Sequence, residues 1–336
     1  MRGKGISYST RGYHVGDLTR EPFDPDRVGR ELRIIHDDLH CTAVRVIGGD
    51  PERLEIAAAC AADAGLEVWF CPFTLDRTTD ELLVLFADCA ERAERLRRRG
   101  AEVVFVTGAE LTLLATGFLP GDTFTERLAL LAEPRRRREA LPRVPGPLNA
   151  FLARAVRIVR ERFGGKVTYA AIPTEQVDWT PFDVVGVDAY KSVEVADQYA
   201  AAIQALVARG KPVAITEFGC TTHRGAADLG ARGTLILDWD SAGAPHLKGD
   251  YVRDEAEQAA YLRESLDIFN AAGVDSAFWF MFADDNLPHR ADPREDLDLA
   301  SAGVVKVLEG RLGTTYPDLP WEPKAAFSAL ADGYRG

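Results

Sequence analysis

Two glutamates in this sequence directly follow apolar runs. Glu217 ends the run in KPVAITEFGC, and Glu110 ends the run in AEVVFVTGAEL. Near-continuous apolar runs are typical of buried parallel strands, where an unpaired carboxylate is costly to bury. Two carboxylates that meet in space can divide the chemistry of bond cleavage, because one donates a proton to the leaving oxygen while the other attacks the carbon. We therefore take Glu110 and Glu217 as the candidate catalytic residues.

The elements that would position these acids alternate between strand-like and helix-like along the whole chain. Strands are predicted at residues 5–8, 42–48, 66–73, 101–111, 166–173, 182–192, 212–216 and 274–282. Helices are predicted at residues 26–39, 51–64, 79–99, 147–163, 195–209 and 254–272. This β–α alternation, with glycine at the helix ends, predicts an α/β protein with a single (β/α)8 TIM barrel domain over residues 1–336.

The rival fold, a doubly wound open sheet, would place a glycine-rich phosphate loop after an early strand. Neither GxGxxG nor GxxxxGK[ST] follows an early strand here.

In a TIM barrel the loops after the C-terminal strand ends build the active site. The loops after predicted strands four, seven and eight are long, spanning residues 111–146, 218–253 and 283–303, and loops of such length usually form lids or subsites. Glu110 and Glu217 would both leave the barrel at this face. A separation of about 5–5.5 Å would indicate a covalent intermediate and retention, and about 6.5–9.5 Å would indicate inversion through a water.

The order of these motifs resembles that of the clan A glycoside hydrolases, the cellulase-like (β/α)8 enzymes. The resemblance implies that Glu110 is the acid/base and Glu217 the nucleophile. It implies that Arg45 in AVRVIG supports the nucleophile and that Tyr190 in VVGVDAYKS hydrogen-bonds it. It also implies that Trp279 in FWFMF forms the floor of a sugar site. The tail WEPKAAFSAL is similar to the closing helix of several such enzymes.

The sequence departs from this clan at two positions. The residue before Glu110 is Ala109, where the clan usually has an asparagine that binds the sugar 2-hydroxyl, and strand three ends in Cys71-Pro72-Phe73 without the histidine of many members.

The first hypothesis for the function is a retaining glycosidase for a small glycoside, a glycoconjugate or a sugar-like metabolite. A biosynthetic lyase, cyclase or isomerase that uses the same acids for proton transfer is the alternative. A non-catalytic barrel that binds carbohydrate or protein is a further one.

Other polar and aromatic residues are predicted to lie in loops near the barrel mouth. Trp179 follows strand five, and Trp239 lies in the loop after strand seven; both are candidate subsite walls. His223 follows strand seven, and Asp284 and Asp285 follow strand eight, so that all three are candidate substrate contacts. Each of these side chains is also compatible with ordinary packing or surface polarity.

Composition excludes several classes of partner. The formal net charge is −12 over 336 residues, and nucleic-acid binding needs a positive footprint instead. No run approaches the roughly 18 apolar residues of a membrane span.

The HDDLH segment (36–40) superficially resembles a zinc motif, but it precedes strand two and so falls at the face opposite the predicted site. The five cysteines lack CxxC spacing. We expect a cytoplasmic protein without metal or cofactor.

Overall fold

Each apolar run that predicts a barrel strand contains a strand in the structure. The computed structural model describes residues 1–13, 23–239 and 244–335. Within them, the strands in chain order are β1 (Gly3–Ser9), β2 (Ala43–Gly48), β3 (Glu67–Pro72), β4 (Val103–Ala109), β5 (Lys166–Ala170), β6 (Val185–Asp188), β7 (Val213–Phe218), β8 (Leu237–Trp239), β9 (Pro245–Leu247), β10 (Ser276–Trp279), β11 (Val305–Val307) and β12 (Trp321–Pro323). The barrel consists of β1–β7 and β10, which is therefore its eighth strand.

The eight barrel strands are hydrogen-bonded in the order β5-β4-β3-β2-β1-β10-β7-β6. All of these pairs are parallel. The ring is completed between β5 and β6 by two backbone bonds, from Ala171 N to Gly186 O at 3.1 Å and from Asp188 N to Ala171 O at 2.8 Å. The predicted (β/α)8 barrel is confirmed.

The helices surround the barrel and fill its long loops. In the described residues they are α1 (Pro25–Asp37), α2 (Pro51–Asp63), α3 (Thr79–Arg98), α4 (Leu111–Leu114), α5 (Phe124–Ala132), α6 (Pro134–Ala140), α7 (Pro145–Arg160), α8 (Ala196–Val207), α9 (Ala226–Leu229), α10 (Glu255–Ala272) and α11 (Ala325–Arg335). Local sequence sets their starts: Asp50 caps α2, where Pro51 occupies the first turn, and Thr78 forms a capping box with Glu81 in α3. None of these described helices combines the length and apolarity needed to cross a bilayer.

The three long loops each carry additional elements. The loop after β4 contains α4–α6, the loop after β7 contains α9 and the β8–β9 hairpin, and the segment after β10 leads through β11 and β12 to α11. Because the strands are parallel, all three loops leave the barrel at its carboxyl face.

The side chains of the strands separate into two apolar layers. On β2, Val44 and Val46 pack outward in the main core, whereas Ala43 and Ile47 belong to the cluster inside the barrel. Arg45 lies between the last two and therefore also points inward, as the alternation of strand side chains requires. The inner cluster is made of Ala43, Ile47, Trp69, Cys71, Val104, Val106, Ala109, Ala170, Val184, Ala214 and Phe278.

Candidate active site

Glu217 is turned into the barrel by a bulge at the end of β7. Val187 of β6 pairs with Ile215, but the next residue of β6, Asp188, pairs with Glu217, so that β7 contains one extra residue. Thr216 and Glu217 consequently both face the interior, and Phe218 returns to the outer core. Bulges commonly re-aim a side chain in this way next to active sites.

Arg45 holds one oxygen of Glu217. Its Nη1 donates to Oε1 at 2.6 Å and to the Thr216 carbonyl at 3.2 Å. Burial disfavours the guanidinium charge, but Cys71, Glu217 and Asp188 outweigh this cost and raise the pKa of Arg45. Arg45 is therefore a fixed positive charge inside the barrel.

Tyr190 holds the other oxygen of Glu217. It follows β6, and its hydroxyl donates to Oε2 at 2.9 Å. Burial and the adjacent Glu217 raise the pKa of Tyr190, so that the phenol keeps its proton. Hydrogen bonds to the charged form of an acid favour that form. Both oxygens of Glu217 are therefore engaged by donors.

Glu110 occupies the turn between β4 and α4. The pairing of β4 with β5 shifts between Val106 and Ala109, and Gly108 within that stretch has φ +84°. Glu110 itself is left-handed at φ 41° and ψ 41°, and its N–H donates to Ala170 O at 2.8 Å. A positive φ is uncommon outside glycine and is often associated with functional sites.

A third carboxylate, Asp188, lies beside the two glutamates. One oxygen from each of Glu110, Asp188 and Glu217 lies within 4.8 Å of the other two. Asp188 is buried at the end of β6, and Thr216 Oγ1 donates to its Oδ1 at 2.6 Å. No prediction from the sequence includes Asp188. It ends a buried strand within VVGVDAYKS, so that the criterion that selected Glu110 and Glu217 would have selected it too.

Two of these acids hold protons more tightly than usual. Burial, followed by the nearby Asp188 and Glu217, raises the pKa of Glu110 well above its ordinary value. Burial and Glu217 likewise raise the pKa of Asp188, against the opposing effect of Arg45. Glu110 is thus suited to donate a proton, while Glu217 lies against the positive charge of Arg45.

Glu175 fixes the segment that carries Glu110. Its Oε1 accepts from Thr112 Oγ1 and from the Tyr169 hydroxyl, both at 2.8 Å, and Tyr169 in turn accepts from Leu111 N at 2.7 Å. Burial raises the pKa of Glu175 to about 7, even though these donors favour its ionised form. No sequence motif marks this residue as part of the site. Its role depends on the loop after β5 folding back toward α4.

Trp279 does not form a floor for the site, so that this prediction is wrong. The side chain is fully buried in the outer core, and its Nε1 donates to Ala302 O at 2.9 Å. Its ring packs edge-on against that of Phe218, with 5.4 Å between the ring centroids. The physical reason is strand alternation: Phe278 faces the interior, so Trp279 faces out. Phe280, which no prediction from the sequence includes, is partly exposed and packs against the inner cluster.

Trp179 does not line the barrel mouth, so that this prediction is also wrong. Lys211, which stands just before β7, donates to the Trp179 carbonyl at 2.7 Å. This places Trp179 near the amino ends of the strands, opposite Glu217. The loop from β5 must return to the start of β6, and Trp179 lies on that return path. The exposed Trp239 lies on the β8–β9 hairpin, and its role as a subsite wall stays a prediction.

The remaining candidates lie in the loops after β7 and β10. Asp285 forms ion pairs with Arg11 at 2.7 Å and Arg27 at 3.0 Å, contacts that fasten the loop to the start of the chain. The Asp284 residue as a whole is partly exposed. Desolvation of its carboxyl group, followed by the negative charge of Asp285, raises the pKa of Asp284 to about 6. A substrate contact by Asp284 or Asp285 stays a prediction.

His223 is buried and holds the long loops together. Its Nδ1 lies 3.0 Å from Thr221 Oγ1 and 3.2 Å from the Leu299 carbonyl, and its ring packs edge-on against Tyr251. Burial lowers its pKa. These contacts support a structural role, and a contact between His223 and substrate also stays a prediction.

The three clustered acids have a spacing that a cation could also use. Hard divalent ions complete six or more oxygen ligands. Here both oxygens of Glu217 are already engaged by Arg45 and Tyr190, and the guanidinium supplies a local positive charge. Because of these contacts, we expect a proton, rather than a bound metal ion, to neutralise the negative charge shared by Glu110 and Asp188.

Comparison with known proteins places this barrel among described folds. Neither a protein-family model nor a curated protein matches the sequence. A solved GH113 β-1,4-mannanase has 16% identity and a TM-score of 0.62, with 100% of both chains covered. The GH113 β-mannanase from Alicyclobacillus acidocaldarius has 16% identity and a TM-score of 0.59, covering 99% of this chain and 97% of that one. A GH5_18 protein from Streptomyces cattleya has 14% identity and a TM-score of 0.58, covering 99% and 80%. The chain thus has the barrel fold of clan A glycoside hydrolases, as the sequence resemblance predicts.

Proposed function

We propose that this protein is a retaining glycoside hydrolase acting on a small glycoside or glycoconjugate. One observation carries the proposal: carboxylate oxygens of Glu110 and Glu217 approach within 4.8 Å at the carboxyl face of the barrel. An oxygen-to-oxygen approach this close supports the retaining arrangement, with about 5–5.5 Å between the carboxyl groups, because the inverting arrangement keeps those groups about 6.5–9.5 Å apart to admit a water.

In the first step Glu110 acts as the acid and Glu217 as the nucleophile. A Glu217 oxygen attacks the anomeric carbon as the bond from that carbon to the leaving oxygen breaks, and the Glu110 proton passes to that oxygen. The environments of the two acids support this division of roles. Arg45 and Tyr190 orient Glu217 through hydrogen bonds to its two oxygens, whereas burial raises the pKa of Glu110 and so favours its protonated form.

In the second step the roles of Glu110 reverse. Its carboxylate takes a proton from a water molecule, the water oxygen attacks the anomeric carbon, and the bond to Glu217 breaks. Each step inverts the configuration at that carbon, so that the product retains the configuration of the substrate. Both acids return to their starting protonation states.

The residue before Glu110 bears on the choice of substrate. Ala109 is buried in the inner cluster and offers no hydrogen bond to a sugar. Because a bond to the 2-hydroxyl can supply several kcal/mol in the transition state, we propose a substrate whose 2-position is not held from this strand. Aryl β-mannosides, β-glucosides and β-glucuronides are suitable first probes, since a mannanase, a β-glucuronidase and a protein in complex with a cellotriose are among the similar structures.

The test is turnover of this aryl glycoside panel by matched variants. Glu217→Gln is expected to abolish turnover, and Glu110→Ala is expected to regain it with azide, yielding a glycosyl azide. The control is Glu102→Gln, an exposed glutamate at the amino end of β4, which should leave the rate unchanged. Proton NMR of the first product should show retained configuration. Unchanged activity in both active-site variants, or an inverted product, would remove the proposal.

A second candidate function is supported by the departures from the clan. Ala109 and the buried Cys71 stand where polar sugar contacts are expected, and Asp188 adds a further acid. These features favour a lyase, cyclase or isomerase that moves protons between the same carboxylates. This hypothesis predicts that the protein cleaves none of a broad panel of glycosides, while Glu217→Gln still removes the native activity.

A further inference from the structure

Asp188 has an unsatisfied oxygen in the middle of the candidate site. The residue is 2% exposed, and while its Oδ1 accepts from Thr216, its Oδ2 is buried with no hydrogen-bond partner among the described residues. Buried polar atoms nearly always have partners, and an orphaned carboxylate oxygen is especially costly. An ionised Asp188 therefore makes a second negative charge on the nearby Glu110 unfavourable.

The charges that face Asp188 come from every neighbouring strand. The acids are Glu217 from β7, Glu110 from β4 and Glu175 from the loop after β5, and Arg45 from β2 is the cation that contributes to its ionisation. The uncharged titratable groups are Tyr190, which bonds Glu217, Tyr169 of β5, which bonds Glu175, and Cys71 of β3, which lies 3.5 Å from Arg45 Nη2. Arg45 is bonded to Glu217, so that its charge is already matched by one carboxylate.

Asp188, Glu110 and Glu175 therefore remain without a further bonded cation in the described part of the site, and one oxygen each of Asp188 and Glu110 lie within 4.8 Å of each other. Like charges this close cannot both ionise readily, and one retains its proton. Such groups titrate as a pair rather than singly.

We propose that Asp188 is a positioning residue for the acid step: it titrates as a pair with Glu110 and keeps the proton on Glu110 at pH values where Glu110 alone would have ionised. This inference rests on the proposed function in giving Glu110 the role of acid, but the proton coupling itself is a property of the free protein. Asp188 acts through Glu110 and forms no bond to substrate in this scheme.

The first measurement is direct titration of Glu110. In protein labelled with 13C at the glutamate side-chain carboxyl, the resonance that disappears in Glu110→Gln belongs to Glu110. Asp188→Asn is expected to lower the midpoint of that resonance by about one pH unit or more, because it removes the like charge. Asp188→Ser is a second neutral variant in case the first does not fold, and Asp188→Glu should restore the midpoint. An unchanged midpoint in the neutral variants overturns the proposal.

The second measurement is the pH profile of kcat/KM on an aryl glycoside that the wild type cleaves. The high-pH limb reports loss of the acid's proton, and Asp188→Asn should move it to lower pH by the same amount. The control is Asp183→Asn, an acid just before β6 at the far end of the strand, which should leave the limb in place. A merely structural role for Asp188 would lower the rate without moving the limb, and that result would also overturn the proposal.

The two measurements separate the inference from the proposed function. A shifted NMR midpoint in a protein that cleaves no glycoside would support the coupling and count against the glycosidase. Glycoside cleavage that depends on Glu110 and Glu217, with an unmoved midpoint, would support the glycosidase and count against the coupling.

Discussion

Arg45 of β2 and Glu217 of β7 form a salt bridge inside the barrel, with 2.6 Å between Nη1 and Oε1. The arginine side chain is fully buried and the glutamate side chain is 7% exposed. A pair this deep is weak evidence for net stabilisation, but losing one partner leaves an uncompensated buried charge. The same contact therefore serves the barrel interior and the candidate nucleophile.

We expect Arg45→Met to lower the free energy of unfolding by about 3–5 kcal/mol, because Glu217 would lose its counter-charge. Adding Glu217→Gln to Arg45→Met should recover part of this loss. Urea unfolding of the two single variants and the double variant measures the coupling. The control is Arg95→Met, whose half-exposed ion pair with Glu55 should matter by about 1 kcal/mol or less. Losses of equal size in Arg45→Met and Arg95→Met would contradict this account.

Tyr190→Phe should slow catalysis, because it removes a contact that positions the candidate nucleophile. The variant removes a hydrogen bond to the charged Glu217, and such bonds contribute about 1.5–3 kcal/mol, so that kcat/KM should fall about tenfold or more. Tyr199→Phe is a matched control, because that buried hydroxyl donates to the Ala189 carbonyl at 2.6 Å. Steady-state kinetics that showed the same loss in both variants would indicate a packing effect instead.

Glu175 should make stability fall as the pH rises. Its pKa is raised to about 7 by burial, against about 4.3 for a glutamate in an unfolded chain. Between these values the folded protein binds a proton that the unfolded chain releases. Stability therefore decreases by up to about 1.4 kcal/mol per pH unit across this window.

Unfolding of wild type and Glu175→Gln at pH 5 and pH 8 checks this sign. Other titrating groups cancel in the difference between the two proteins. Relative to wild type, the variant should be more stable at pH 8 than at pH 5, by an amount on the order of 3 kcal/mol. A difference that does not change with pH would show that Glu175 is not protonated in the folded state near pH 5.

The barrel could be predicted because its signals are repetitive. Each strand is a short apolar run, and each end of a run fixes where a loop begins. The rule that barrel sites lie at the carboxyl ends then directs attention to Glu110 and Glu217 without any knowledge of side-chain geometry. The position of Arg45 follows from the same alternation, since its neighbours Val44 and Val46 pack outward.

What the sequence did not reveal depends on register and on the paths of the loops. The bulge between Ile215 and Glu217 is one extra residue that no motif marks. The contacts of Glu175 and the position of Trp179 depend on how one loop returns from β5 to β6. The prediction for Trp279 follows the tryptophan that the clan resemblance implies on this strand, whereas strand alternation turns its neighbour Phe278 inward and Trp279 outward.

Phe280 and Trp279 lie on opposite faces at the end of β10, and we expect their substitutions to have different effects. Phe280 is partly exposed beside the inner cluster, so Phe280→Ala should raise KM for an aryl glycoside by removing a ring on which the apolar face of a sugar can stack. Trp279 fills the outer core, so Trp279→Ala should lower the free energy of unfolding by about 3–5 kcal/mol. Trp279→Phe, which keeps a ring in the core, should leave KM unchanged. A raised KM in Trp279→Phe together with an unaffected Phe280→Ala would restore Trp279 as the residue that contacts the sugar.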